Sequence, residues 1–185
     1  MQATARRLSV VSATSTPRRR LIRGVRPTQI RPVPAYEHAL LSWDDALTTL
    51  AHWIPGFATV TEPRQLSFDT VAQIMASVSG GFQVLPPTLL DSDAAFIDSA
   101  LDRCRDRPSE VIVIPDCGMT SRLPLRLPLT ELRQFLAEFD YDSGTHQSGL
   151  LDGASDIFFG FDTGDMLFVD HDERIWFTPS LSTAT

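Results

Sequence analysis

Four segments of the chain repeat apolar residues at three- and four-residue spacing, the pattern of a helix that buries one face. They lie within residues 42–56, 66–81, 92–105 and 129–140. Capping residues begin three of them, namely Ser42, Ser67 or Asp69, and Thr130. Glycine or proline follows the first three segments, and both residue types end helices. We therefore predict four helices.

The period of the pattern shortens in the second half of the chain. Residues 110–115, "EVIVIP", form a short β-branched run of the kind found in a centrally buried strand. Residues 156–161, 166–170 and 174–178 are three apolar runs separated by short acidic turns, which predicts an antiparallel meander. Residues 56–60, "GFATV", are a further candidate strand, whereas the intervening segments 116–128 and 142–155 are expected to be loops.

Helices that come first and a meander that comes last indicate an α+β fold. We expect the helices to pack on a mixed sheet that ends in the three-stranded antiparallel C-terminal meander. The length of 185 residues is that of a single domain. Residues 37–185 are assigned to this α+β domain, and residues 1–36 to a disordered tail, because their apolar residues show no period and are too few for a core.

Charge divides the chain in the same place. The formal net charge is −7, there is no lysine, and residues 1–36 hold eight arginines and no acid. The remaining eight arginines and all 23 acidic residues lie beyond, so the body has a net charge of −15. Such a body repels nucleic acid and acidic membranes and attracts basic protein surfaces.

The arginine-rich tail has alternative interpretations besides plain disorder. A phosphate-binding arm would use Arg18, Arg19, Arg20 and Arg23, since arginine pairs bidentately with phosphate. An acid-free segment rich in Arg, Ser and Thr is also typical of an organellar transit peptide. Pairing with the acidic body and an over-extended start codon are the remaining alternatives.

The composition points to a protein of the cytoplasm that needs no bound group. No apolar run approaches the ~18 residues of a membrane span, and a transit peptide would instead place the protein in an organelle. Cys104 and Cys117 lack the spacing of a zinc site or a disulfide framework. Asp170 and Asp172 would ligate a cation if the strand continued through them, but metal-site spacings are absent. No cofactor or metal is therefore expected.

Asp162-Thr163-Gly164 resembles the catalytic turn of aspartic proteases, which raises an enzymatic alternative. Only 21 residues follow Gly164, too few to build the rest of a protease lobe. Asp and Gly are also the residues that a tight hairpin turn requires. We interpret the motif as a turn.

A second enzymatic alternative is a small cysteine hydrolase or transferase. Cys117 follows the buried strand at residues 110–115, a place where nucleophiles occur. His146 or His171 would act as its base, oriented by Asp152 or Asp170. No catalytic signature surrounds Cys117, so the sequence favours a protein that is not an enzyme.

The C-terminal succession of an apolar strand, "DTGD", "MLFVD", an acidic turn and "RIWF" resembles the closing part of the SUKH superfamily. The resemblance covers about 30 residues from Asp156 onward. It implies an α+β module, and many members of the superfamily are bacterial immunity proteins that bind and neutralise a toxin.

Resemblance and charge lead to one functional hypothesis. The protein is interpreted as a non-catalytic, acidic protein-binding module of bacterial type, whose partner is another protein with a basic surface, such as a toxin. The third alternative is a nucleic-acid-binding accessory protein that acts through the tail. The expected contacts lie on the meander and its turns: Asp162, Asp165, Asp170, Asp172, Glu173, and Trp176 if it faces outward.

Overall fold

The computed structural model describes residues 34–79, 82–115, 123–138 and 156–180. They contain four α-helices and six strands. The helices are α1 (Trp43–Trp53), α2 (Phe68–Ser79), α3 (Asp93–Leu101) and α4 (Leu129–Glu138). The strands are β1 (Gln83–Leu85), β2 (Glu110–Ile114), β3 (Leu125–Pro128), β4 (Ile157–Phe161), β5 (Met166–Val169) and β6 (Ile175–Thr178). Along the chain they follow in the order α1, α2, β1, α3, β2, β3, α4, β4, β5 and β6. The predicted α+β class is confirmed.

All six strands belong to one sheet in the order β1-β6-β5-β4-β2-β3. Every neighbouring pair is antiparallel, so the mixed sheet expected from the sequence is wrong. The C-terminal meander β4-β5-β6 is confirmed and lies at the centre of the sheet. β1 and β2 run in the same direction but lie on opposite sides of the meander, and therefore do not pair.

Local capping explains where α1 and α2 begin. The Ser42 hydroxyl accepts a hydrogen bond from the amide of Asp45 at 3.1 Å, as the sequence predicted. The Ser67 hydroxyl likewise accepts from the amide of Thr70 at 3.3 Å, so Ser67 caps α2. The glycines predicted to end α2 lie outside the described residues. In both helices the predicted inward positions that the structure describes are buried or half-buried.

Two predicted helix boundaries are wrong. α3 ends at Leu101, four residues early, because the chain turns there and the amide of Cys104 bonds to the carbonyls of Ala100 and Leu101. α4 begins at Leu129, directly after β3, so Thr130 lies inside the helix and does not cap it.

The strand predictions failed at the two edges of the sheet, which β1 and β3 form. β1 was missed because it has only three residues, and β3 because Arg126 and Pro128 interrupt its four residues, whereas β5 and β6 are unbroken runs of mostly apolar residues. Residues 56–60 do not join the sheet. Pro55–Thr59 form instead a one-turn 3-10 helix that packs Phe57 on Phe158, with ring centroids 5.0 Å apart.

The sheet is covered on both faces. One face packs against α3, α4 and the 3-10 helix Pro34–Ala39, and the other against α1, α2 and the helix Pro55–Thr59. β4 and β5 are buried at every position, because both of their faces meet a helical layer. Tyr36, the last residue of the predicted tail, belongs to this core and meets the Phe135 ring edge-on at 5.1 Å. Residues 1–33 lie outside the described part.

Gly160 lets α1 approach β4 closely. A Cβ atom at this position would lie 2.5 Å from Cδ2 of Leu50 and 2.9 Å from Cε1 of Phe158. Neither side chain has room to move, because both are fully buried.

We predict that Gly160→Ala lowers the free energy of unfolding by about 1–3 kcal/mol, because the added methyl overpacks the interface between α1 and β4. Urea denaturation followed by circular dichroism measures the change. Combining the substitution with Leu50→Ala should cost less than the sum of the two single changes, since Leu50 supplies the closest atom. Additive costs would contradict the proposed collision.

Candidate functional site

The turn between β4 and β5 is held by two carboxylates. Asp162 accepts from the amide of Ser109 at 3.0 Å and from the Ser109 hydroxyl, and so ties the turn to the start of β2. Asp165 has no exposed surface and accepts from the amide of Ser180 at 2.9 Å and from the Thr163 hydroxyl. Gly164 adopts φ 86°, which closes the turn. The interpretation of Asp162-Thr163-Gly164 as a turn is confirmed.

The turn between β5 and β6 is built around Asp170. This fully buried carboxylate accepts from the amides of Asp172 and Arg174, each at 2.9 Å, and from Nε of Arg174 at 2.6 Å. Glu173 occupies the left-handed region at φ 62°, which lets the chain reverse. β5 ends at Val169, so Asp170 and Asp172 do not alternate along a strand as a cation site would require.

These partners change the list of expected contacts. Asp165 and Asp170 were predicted to contact a partner, but they have no exposed surface. Asp170 accepts from amides of its own turn, and Asp165 accepts from the amide of Ser180 and the hydroxyl of Thr163. That part of the prediction is wrong. Asp162 is half-buried and its oxygens are engaged by Ser109. Asp172 and Glu173 are exposed. Asp172 shares the Arg174 guanidinium with Asp170, and Glu173 has no ion pair within the described chain.

Trp176 lies half-buried at the edge of the layer formed by α1 and α2. Its ring meets Phe68 edge-on at 5.3 Å and Phe82 at 4.3 Å, measured between centroids. The guanidinium of Arg174 lies over the same ring at 5.9 Å. The indole Nε1 is buried without a hydrogen-bond partner.

An exposed apolar patch surrounds Trp176, and no pattern in the sequence had indicated it. Val84 pairs with Trp176 across β1 and β6 and is 65% exposed, and Phe82 beside it is 37% exposed. Because no strand was predicted at β1, these residues were not recognised as sharing one face of a sheet. We call Phe82, Val84 and Trp176 the edge patch.

The catalytic residues of the cysteine alternative are not brought together in the described part of the chain. Cys117 and His146 lie outside it. His171 bonds through Nδ1 to Asp156 at 2.9 Å rather than to Asp170, which was expected to orient it. Cys104 is described, and burial together with the nearby Asp165 raises its thiol pKa to about 12. The Cys104 thiol is therefore protonated at neutral pH and is a poor nucleophile.

The remaining predictions concern ions, nucleic acid and membranes. Among residues 34–79, 82–115, 123–138 and 156–180, no group of three or more His, Cys, Asp or Glu side chains is arranged to hold a metal. Arg18, Arg19, Arg20 and Arg23 lie outside these ranges. No helix within the same ranges has the length and apolarity to cross a membrane.

Comparison with known proteins adds no relative. No family model matches the chain, and no curated protein or solved structure shows significant similarity to it. The structure alone therefore defines the class: an α+β protein with a six-stranded antiparallel sheet between two helical layers.

The hydrogen bond from His171 to the Asp156 carboxylate, reinforced by their opposite charges, raises the pKa of His171. We predict that Asp156→Asn lowers this pKa while preserving an acceptor for the His171 amide. Titration of the imidazole C–H signals by NMR measures both values. Because the folded-state pKa is raised, the pair stabilises the fold fully below the unfolded pKa, and this stabilisation is lost as pH rises through the folded value. An unchanged titration midpoint in Asp156→Asn would contradict the pairing.

Proposed function

We propose that this protein is a non-catalytic, acidic protein-binding module that acts in the cytoplasm on a partner protein with a basic surface. A bacterial immunity or inhibitor protein that neutralises a basic toxin is the form of this function suggested by the SUKH resemblance. No enzymatic step, cofactor or metal is part of the proposal.

One observation carries the proposal: exposed carboxylates lie beside an exposed apolar patch. Asp172 and Glu173 project from the turn that leads into β6, and Trp176 follows three residues after Glu173. Val84 and Phe82 extend the apolar surface from Trp176. An aromatic and apolar centre with a charged rim is the composition of an energetic hot spot in protein interfaces.

The charge of the body suits a basic partner. Complementary fields accelerate the encounter of two proteins and select against partners of the same sign. Arg174 is the basic residue nearest the edge patch in the chain, and its guanidinium is already engaged by Asp170 and Asp172. The rim therefore presents surplus negative charge.

The alternatives have no comparable support. The cysteine hydrolase or transferase depends on Cys117 and His146, and nucleic-acid binding depends on the arginines of residues 1–36. None of these side chains lies in the described part of the structure. The carboxylates of the described meander that resembled catalytic groups are Asp162 and Asp170, and both accept hydrogen bonds from backbone amides and neighbouring side chains.

We predict that reversing the charge of both exposed turn acids, Asp172→Lys with Glu173→Lys, abolishes capture of the partner. Tagged wild-type and variant proteins are used to purify partners from cells of the source organism, at low and high salt, with mass spectrometry of the eluates. The wild type should retain a basic protein at low salt, and both charge reversal and high salt should lower its recovery at least ~10-fold.

A matched control separates local contacts from overall charge. Glu37→Lys with Asp106→Lys changes the net charge equally at exposed sites away from the edge patch, and Glu37 lies beside β3 at the other edge of the sheet. This control should retain most of the partner. Equal loss of partner recovery in the two double variants would mean that net charge alone determines capture. No loss in either would contradict an electrostatic contribution to binding.

A further inference from the structure

The outer edge of β1 carries free backbone hydrogen-bonding groups. The amide of Asp170 donates to the carbonyl of Arg174, so these two residues form a hydrogen-bonded pair between β5 and β6. Bonded and non-bonded pairs alternate along antiparallel strands, so Trp176, two residues further on, also directs its N–H and C=O towards β5. Gln83 and Leu85 then pair with β6, and the N–H and C=O of Val84 point away from the sheet. No strand among the described residues pairs with this side of β1.

The opposite edge of the sheet is protected. At β3, Leu40 forms an isolated bridge with Leu125, and the amide of Leu41 donates to the carbonyl of Pro124 at 2.9 Å. Natural sheets commonly cover or shorten their edges in this way to prevent pairing with other chains. β1 is short, but within the described chain its edge is uncovered.

The sheet also extends past the helical layer at β1. The layer of α1 and α2 reaches Trp176 through Phe68, whereas Val84 and Phe82 lie beyond it on the same face. An added strand would place alternate side chains on this face, against Val84 and Phe82. Its remaining side chains would lie on the other face.

The charges around β1 select the occupant. Asp69 follows Phe68, Glu173 and Asp172 end the neighbouring hairpin, and Asp91 ends the 3-10 helix that follows β1. All four are exposed. Within the described chain, no ion pair involves Asp69, Asp91 or Glu173. A second copy that paired through its own β1 would bring the same acids to the contact, so an extended basic segment of another protein fits better.

We propose that β1 is a strand-addition site for an extended segment of a partner protein that alternates apolar with Arg or Lys side chains. The segment bonds to the N–H and C=O of Val84 and covers the edge patch with its apolar residues, while its basic residues lie within the negative field of the surrounding acids. This mode of binding rests on the proposed function and specifies the chemistry of the partner.

Synthetic peptides added to the full-length, 15N-labelled protein test the site. The probe is an eight-residue (Val-Arg)4 peptide with blocked ends. Two control peptides carry N-methyl groups on alternate amides, one on the amides of the valines and the other on those of the arginines. The third control is (Val-Glu)4. The probe should bind at least ~10-fold tighter than (Val-Glu)4 and than one of the methylated forms, since two backbone hydrogen bonds contribute about that factor. Hydrogen exchange at the Val84 amide should slow at least ~10-fold on binding.

Substitutions at Val84 separate the backbone from the side chain. Val84→Pro removes the outward donor and leaves the bonds of Gln83 and Leu85 to β6 in place. Val84→Lys keeps the donor but places a positive charge in the patch, and Val84→Ile is the matched control. Proline and lysine should each weaken binding of the probe at least ~10-fold, and isoleucine should preserve it. If Val84→Pro fails to fold, Val84→Lys and the methylated peptides decide.

Several results would overturn the proposal. Equal binding of the probe and both methylated peptides would exclude strand addition. A Val84 amide already protected in the free protein would mean that the edge is occupied by the chain itself, or by a second copy if protection rises with concentration. If Val84→Lys and Val84→Ile capture the partner equally while reversal of Asp172 and Glu173 still abolishes capture, strand addition fails and the proposed function stands. If neither Val84→Lys nor the reversal of Asp172 and Glu173 lowers capture of the partner, both strand addition and the proposed function are contradicted.

Discussion

Two carboxylates without exposed surface, Asp165 and Asp170, hold the turns of the central meander. Asp170 accepts hydrogen bonds from two backbone amides of its own turn, and Asp165 ties its turn to the segment after β6 by accepting from the amide of Ser180. β4 and β5 are buried on both faces, so their register decides which side chains enter each of the two cores. The rest of the sheet depends on these two turns, because β2 pairs with β4, and β1 pairs with β6.

The same arrangement separates structural from available acids. Within one turn, Asp170 is fully buried, whereas Asp172, two residues later, is exposed and shares the Arg174 guanidinium. An acidic sequence therefore does not translate directly into an acidic binding surface. The available charge lies around β1 and β6, where the apolar surface is also exposed. Electrostatic attraction and apolar contact would thus act at the same edge of the sheet.

Much of the fold was predictable from local physical chemistry. The capping serine and apolar face of α1, the continuously apolar β2 and the three runs of the meander each carry a strong pattern, and the structure contains all of them. β1 and β3 were not predictable, because three residues at β1 and a run interrupted by Arg126 and Pro128 at β3 carry no strong pattern, and pairing with a neighbour makes them strands. The segment with α3 connects β1 to β2 on the opposite side of the meander, so these two strands of equal direction do not pair and the sheet is antiparallel throughout. No local sequence pattern indicates where this connection ends.

The candidate site was only half predictable, for the same reason. Asp172, Glu173 and Trp176 were identified from the sequence, but Val84 and Phe82 enter the site only through the pairing of β1 with β6. Burial of Asp165 and Asp170 could not be read from their residue type, because exposed and buried turn acids look alike in sequence.

The comparison of Asp170→Ala with Asp172→Ala tests most directly whether the turn acids are structural or available. The two substitutions remove the same chemical group two residues apart, and equilibrium urea unfolding measures both. We expect Asp170→Ala to lower the free energy of unfolding by about 2–4 kcal/mol, since buried partners lose their acceptor. Asp172→Ala should cost less than ~1 kcal/mol, as exposed ion pairs do. Equal costs for the two substitutions would contradict the account.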